Sequence, residues 1–285
     1  MIIIICLFGL VFGSFINALV WRVYKLDDLK VKKNKKSKQA SRKLESEKIA
    51  HSIIKGRSMC VHCKHQLSAK DLVPVISWVS LRGRCRYCKK AISWQYPLVE
   101  LLTAAIFAIS FLAWPLSLNT LPQYLVFATW LPVVVVAVAL AVYDTRWMLL
   151  PTRLVYILGS FGFIFVVAAS LVYSDISVAL SALIGAAGFG GFFYGLYVVS
   201  GGKWIGGGDV RLGFALGLIL GWQKSILALT AAAYGGTLFI VVLIVVKKYH
   251  RKMKIPFGPF LLSATIATML WGQAAIDWYL RLSGL

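Results

Sequence analysis

Long apolar runs with almost no charges recur along this chain, at 2–20, 98–114, 124–142, 154–172 and 226–246. A helix that crosses a bilayer needs roughly 20 mainly apolar residues. A large soluble core would instead require charges spaced along each helix to make a wet face, and those are missing. Hydrophobic residues make up 59% of the 285 residues and the mean hydropathy is +0.78. Soluble domains run near about 45–50% apolar. The fold class is therefore all-α, a polytopic membrane protein.

The net charge of +21 resembles a nucleic-acid signature, but its distribution excludes that reading. Of the 31 Lys and Arg, 20 lie between Arg22 and Lys90, and most of the rest fall at helix ends. Basic loops retained in the cytoplasm give this bias. No interleaving of aromatic and basic residues marks a nucleic-acid module. The N-terminal run has no basic segment before it and no small-residue cleavage site before Trp21 and Arg22. It reads as a retained first helix rather than a signal peptide.

Alternation from an outside N-terminus predicts about eight crossings, over 2–21, 96–114, 123–144, 152–173, 177–200, 208–222, 224–246 and 258–281. Inside segments then carry 22–90, Arg146, Arg153, Lys203, Arg211 and the basic run 247–254. Outside segments carry only Asp175, Lys224, Asp277 and Arg281. Three domains follow: a first transmembrane helix over 1–21, a basic cytoplasmic loop over 22–95, and a seven-helix core over 96–285. Gly213, Gly217 and Gly221 recur every four residues, a spacing that lets membrane helices approach closely. Within the loop, 25–55 is Lys- and Ser-rich and is expected to be mobile and to lie on an anionic lipid surface. A docking arm for a partner is the alternative.

Cys60-x-x-Cys63 and Cys85-x-x-Cys88 are separated by 21 residues. Two such knuckles read as a closed tetrahedral four-cysteine zinc site, structural rather than hydrolytic. Two disulfides are the alternative, disfavoured in a reducing compartment. His62 and His65 are spare ligands, and Cys6 sits alone in the first helix.

Five acidic residues lie outside the loop: Glu100, Asp144, Asp175, Asp209 and Asp277. Asp175 and Asp277 fall near the outer face. Carboxylates at membrane depth are costly and point to function. Asp144 ends one predicted helix and Asp209 opens another, at the same membrane level. Two carboxylates held close share a proton. The ionised one takes a proton from water while the other polarises a carbonyl, which is aspartyl proteolysis. Gly206, Gly207 and Gly208 leave room for an extended substrate backbone beside Asp209. Glu100, one turn into its helix, is either a packing or capping hydrogen bond or a polar contact to substrate or loop. Unrelated end-caps or a cation path are the alternatives for the acids.

Gly206-Gly-Gly-Asp209-Val-Arg-Leu resembles the GxGD motif of the type IV prepilin peptidases, bacterial membrane aspartyl proteases. Gly13-Ser-Phe-Ile-Asn17 through Arg22 is similar to that family's first-helix signature. Cys60–Cys63, Pro74-Val-Ile-Ser-Trp78, Arg82-Gly-Arg-Cys85-Arg-Tyr-Cys88, Ile92-Ser93 and Tyr96-Pro-Leu-Val-Glu100 resemble its zinc loop and second helix. Pro256-Phe-Gly-Pro-Phe260 resembles a further segment. The resemblance implies a protease of the bacterial inner membrane that removes the basic leader from prepilins or pseudopilins at the cytoplasmic face. Asp144 and Asp209 fall on its catalytic pair, and the four cysteines fall on its zinc ligands. It also implies N-methylation with S-adenosylmethionine, for which the chain shows no glycine-rich strand-turn-helix.

The chain departs from the family twice. Leu150-Pro151-Thr152 stands where Leu-Pro-Asp is common, and the basic stretch near 25–55 is long. Two rival readings remain: a non-enzymatic zinc-loop scaffold, in which Asp144 and Asp209 would lie apart, and a proton or cation transporter using Asp144, Asp209 and Glu100.

Overall fold

The computed structural model describes residues 1–33, 57–248, 250 and 253–284. Among these, the chain forms α1 (Ile2–Lys33), a single 3-10 turn (Ala69–Asp71), α2 (Ile76–Ser80), α3 (Gln95–Leu112), α4 (Leu121–Trp147), α5 (Thr152–Val172), α6 (Ile176–Ser200), α7 (Gly207–Val245) and α8 (Gly258–Leu282). Seven of them, all but α2 and the 3-10 turn, are long and apolar enough to cross a membrane. The chain is thus a multi-pass membrane protein. Contacts divide it into one unit over Met1–Ala108 and another over Ile109–Leu285, with the division inside α3.

In the first unit, α1 and α3 pack through Gly9 and Gly13. A Cβ at Gly9 would stand 2.5 Å from the Cα of Ala104, and one at Gly13 2.5 Å from the Cα of Glu100. Small residues four apart permit this approach of two helix backbones in lipid. Asn17 then ties the helices together by donating to the carbonyl of Tyr96 at 3.1 Å. The helix α1 runs past the predicted end at residue 21, to Lys33. Val20, Val23 and Leu29 are buried, with Leu26 partly so. That apolar stripe carries the helix into a segment whose charges suggested a loop. It also corrects part of the expected mobile stretch, since 25–33 is helical; the remainder of 25–55 lies outside the described residues.

In the second unit, α4 is central. Val133 through Leu140 are all buried, and a helix apolar on every side belongs inside a bundle. Its N-terminal half is set in aromatic rings. Trp130 donates to Ser110 at 3.2 Å and stands 5.8 Å from Phe165, centroid to centroid.

The predicted crossings at 208–222 and 224–246 are not joined by a loop. They form one 39-residue helical element, α7, broken at Gly221 (φ 74, ψ 177). A straight 39-residue helix would rise about 58 Å, nearly twice the hydrocarbon thickness. The chain reverses instead. A Cβ at Gly190 would strike Phe214 and one at Gly213 would strike Phe193, so 207–220 runs antiparallel to α6. A Cβ at Gly272 would meet Lys224, and one at Gly236 would meet Phe260, so 222–245 runs antiparallel to α8. The predicted crossings at 208–222 and 224–246 thus fall in one helical element, one of the seven long and apolar enough to cross. Only glycine adopts the backbone at 221 without strain, and a Cβ there would also strike the Ser181 hydroxyl. Gly221→Ala should lower stability by about 1–3 kcal/mol. Thermal unfolding in detergent is the measurement. Gly195→Ala, inside α6 with nothing within 4 Å of the new Cβ, should not lower the midpoint.

Candidate active site and metal centre

The first knuckle hydrogen-bonds its own ends: Lys64 N–H to the Cys60 carbonyl at 2.9 Å, and Cys60 N–H to the His65 carbonyl at 2.9 Å. The second repeats it, with Lys89 N–H to Cys85 at 3.0 Å and Cys85 N–H to Lys90 at 2.9 Å. Lys64 (φ 58) and Lys89 (φ 59) are both left-handed, so each chain turns back just after its second cysteine. The four sulfurs lie within 4.8 Å of one another, with Cys60 Sγ and Cys88 Sγ 3.9 Å apart. A tetrahedral ion with about 2.3 Å bonds to sulfur needs edges of about 3.8 Å, so the four cysteines fit one metal ion. Burial works against ionising the Cys60 thiol. Backbone N–H groups of Cys63 and His62 and the neighbouring thiols outweigh it and bring Cys60 down to about 7.

Neither histidine belongs to the cluster. His65 packs on the ring of Tyr87, with centroids 3.7 Å apart. Asp71 braces the two knuckles against each other. Its carboxylate accepts from Arg86 Nε at 2.7 Å, Tyr87 OH at 3.0 Å and Ser68 Oγ at 2.8 Å. Desolvation opposes its ionisation, but these donors prevail and hold it at about 2.

Glu100 is buried, and its Oε2 accepts the Val75 N–H at 2.7 Å. That bond is at once a packing hydrogen bond and a polar contact to the loop. Asp175 caps α6 by accepting from Ser177 N–H at 2.9 Å, and Asp277 accepts from Gln273 at 2.9 Å.

Asp144 and Asp209 come together although they are far apart in sequence. Asp144 lies in the last turn of α4, which stops where Met148 turns left-handed (φ 52) and donates back to the Asp144 carbonyl. Its side chain is buried, and Oδ2 accepts from the Gly258 N–H at 3.1 Å. Gly258 opens α8, so this N–H is one that no helical carbonyl takes up. Asp209 is the third residue of α7, and its Oδ2 accepts from the Gly206 N–H at 3.3 Å. Each carboxylate thus faces the positive end of a helix. They lie close enough for the charge on Asp209 to act on Asp144.

The glycines before Asp209 differ among themselves. A Cβ at Gly208 would stand 3.0 Å from the Leu150 Cβ. At Gly206 and Gly207 the nearest atoms, Asp209 Oδ2 and Arg211 Nη2, are 3.5 Å away. Gly208 is therefore closely packed on Leu150, whereas Gly206 and Gly207 have room beside them. Arg211 donates to the Thr152 hydroxyl, linking the start of α7 to that of α5. The Leu-Pro-Thr departure thus falls on the partner of Arg211.

Gly258 had no assigned role in the sequence. A Cβ there would stand 2.5 Å from Asp144 Oδ2 and 3.2 Å from its Cγ. Its only signal was its place within Pro256–Phe260. Gly258→Ala should destabilise the protein by about 1–3 kcal/mol through overpacking. Most of that effect should vanish in an Asp144→Ala background, which thermal unfolding of the double-mutant cycle would measure.

The chain is similar to known proteins along most of its length. Residues 7–114 match the bacterial peptidase A24 N-terminal domain, and residues 131–241 match the type IV leader peptidase family. A prepilin leader peptidase/N-methyltransferase of Aeromonas salmonicida (strain A449) is 33% identical over 97% of this chain and 93% of its own length. Proteins of the same description are 29% identical in Bacillus subtilis (strain 168), over 81% of this chain and 88% of theirs, and 29% identical in Pseudomonas aeruginosa, over 98% and 93%. No solved structure matches the chain at a comparable level. The chain therefore belongs to the type IV leader peptidase family.

Proposed function

We propose that this protein is an aspartyl endopeptidase that cleaves the basic leader from prepilins or pseudopilins. The observation that carries the reading is the meeting of Asp144 and Asp209 at the N-terminal ends of α8 and α7. Asp144 and Asp209 are the catalytic pair. The ionised carboxylate removes a proton from water, whose oxygen attacks the scissile carbonyl. The protonated carboxyl donates to the carbonyl oxygen and stabilises the tetrahedral intermediate. Collapse breaks the C–N bond, protonates the leaving amine and releases the mature chain with a new N-terminus. Gly206 and Gly207 admit the extended substrate backbone, and Gly258 positions Asp144.

Orientation follows from charge. Basic segments favour the cytoplasm, so the site faces the inner leaflet of the bacterial inner membrane. The substrate's basic leader stays on that side, bringing its scissile bond to the depth of the carboxylates, where water is at hand. The residues 96–285 then make up the peptidase core.

The metal ion is zinc, held by Cys60, Cys63, Cys85 and Cys88. Four thiolates leave no open position, so it shapes the loop and takes no part in hydrolysis. N-methylation with S-adenosylmethionine rests on the likeness to the prepilin leader peptidase/N-methyltransferases alone. The described residues include no strand-turn-helix cradle for it.

Purified protein incubated with a prepilin, with and without S-adenosylmethionine, and read by mass spectrometry tests both activities. The expected products are the mature chain in both cases and a methylated one only with the cofactor. Asp144→Asn and Asp209→Asn should each lower kcat/KM at least ~100-fold. Normal cleavage by either variant would refute the mechanism. Metal analysis should find one zinc per chain, lost on acidification as protons compete for the thiolates. Cys63→Ser/Cys88→Ser should lose zinc and disorder 59–93, yet reduce cleavage less than either aspartate change.

A further inference from the structure

The first membrane-inserted helix after the metal loop, α3, is short. Its 18 residues rise about 27 Å, against about 30 Å of hydrocarbon, so it has no length to spare for holding its first turns in water. Glu100 lies five residues after Gln95, about 7.5 Å along the axis. The hydrogen bond from the Val75 N–H to Glu100 therefore draws the loop backbone down to that depth. The short helix α2 begins one residue later, at Ile76.

What α2 exposes at this depth is apolar. Ile76 is 67% exposed and Val79 61%, with Leu72 and Val73 also open just before them. Trp78 packs its ring on Trp94 at 4.1 Å. Trp94 immediately precedes α3 and is itself 67% exposed, in the position where tryptophans mark a membrane–water boundary. Facing water, this surface would be unfavourable for a small loop; beside the first turns of α3 it meets acyl chains. The remainder of the loop supplies the complementary charge. Arg82, Arg84, Lys89 and Lys90 are exposed, suited to lipid phosphates.

We propose that the metal loop is a monotopic membrane-docking element: α2 and Trp94 enter the headgroup–acyl boundary of the leaflet in which α3 begins, and the basic residues of the second knuckle rest on anionic headgroups. The occupant of the apolar surface is lipid. The Val75–Glu100 hydrogen bond is the pin that fixes its depth.

The test uses the full chain, zinc-loaded, in liposomes of phosphatidylethanolamine and phosphatidylglycerol. The photo-crosslinking residue p-benzoylphenylalanine is placed in turn at Ile76 and Val79. Leu98, exposed on α3, serves as the lipid-facing control, and Lys64, exposed on the first knuckle, as the aqueous one. Metal content confirms that each variant keeps a folded loop. Mass spectrometry after illumination should find lipid adducts at 76 or 79 at a yield within about threefold of position 98, and at least about tenfold above position 64. Adducts at neither position, or adducts only to protein, including an added prepilin, would overturn the proposal.

Discussion

Hydrocarbon offers no partner for a backbone N–H or C=O, so each crossing must satisfy its own, and the helix is the form that does so. This constraint explains why almost all of the described chain outside the metal loop is helical. It also explains where exceptions occur. Backbone groups left over at helix ends are the donors available near the membrane boundary, and here side-chain carboxylates take them up. Gly258 gives its N–H to Asp144, and Gly206 gives its N–H to Asp209. The pair of acids is thus a product of helix termination as much as of side-chain chemistry.

The fold was legible because the bilayer imposes a length and a polarity on each element. The run 133–140 could be nothing but a buried helix. What the sequence concealed were the places where packing overrides local pattern. Arg22 and the Lys- and Ser-rich stretch from 25 suggested that α1 had ended, yet Val23 and Leu29 keep an apolar stripe buried through that stretch. The crossings at 208–222 and 224–246 were expected with one residue between them, and the break falls instead at a single glycine in an unusual conformation, Gly221.

The site was legible to the extent that its parts were rare residue types. Carboxylates at membrane depth and paired cysteines stand out in a chain this apolar. Gly258 did not, because its importance lies in a missing side chain opposite a residue 114 positions away. Glu100 was noticed for its charge, but its partner is a backbone N–H, which no sequence pattern marks. Thr152 was visible only as a departure, and its contact with Arg211 emerges from the geometry of two helix starts.

The twin knuckles have a consequence for assembly. Among the described residues from 57 to 94, only Gly83 and Cys85 are buried, so this segment has almost no interior of its own. An ion held between the four sulfurs would take the place that packed side chains hold elsewhere, as in other domains too small to enclose a core. Maturation of the loop would then depend on metal supply, whereas the helices of the second unit associate through contacts of their own. A cell short of the ion would make membrane-inserted chains whose loops wait unfinished, and later metal uptake would complete them without new synthesis.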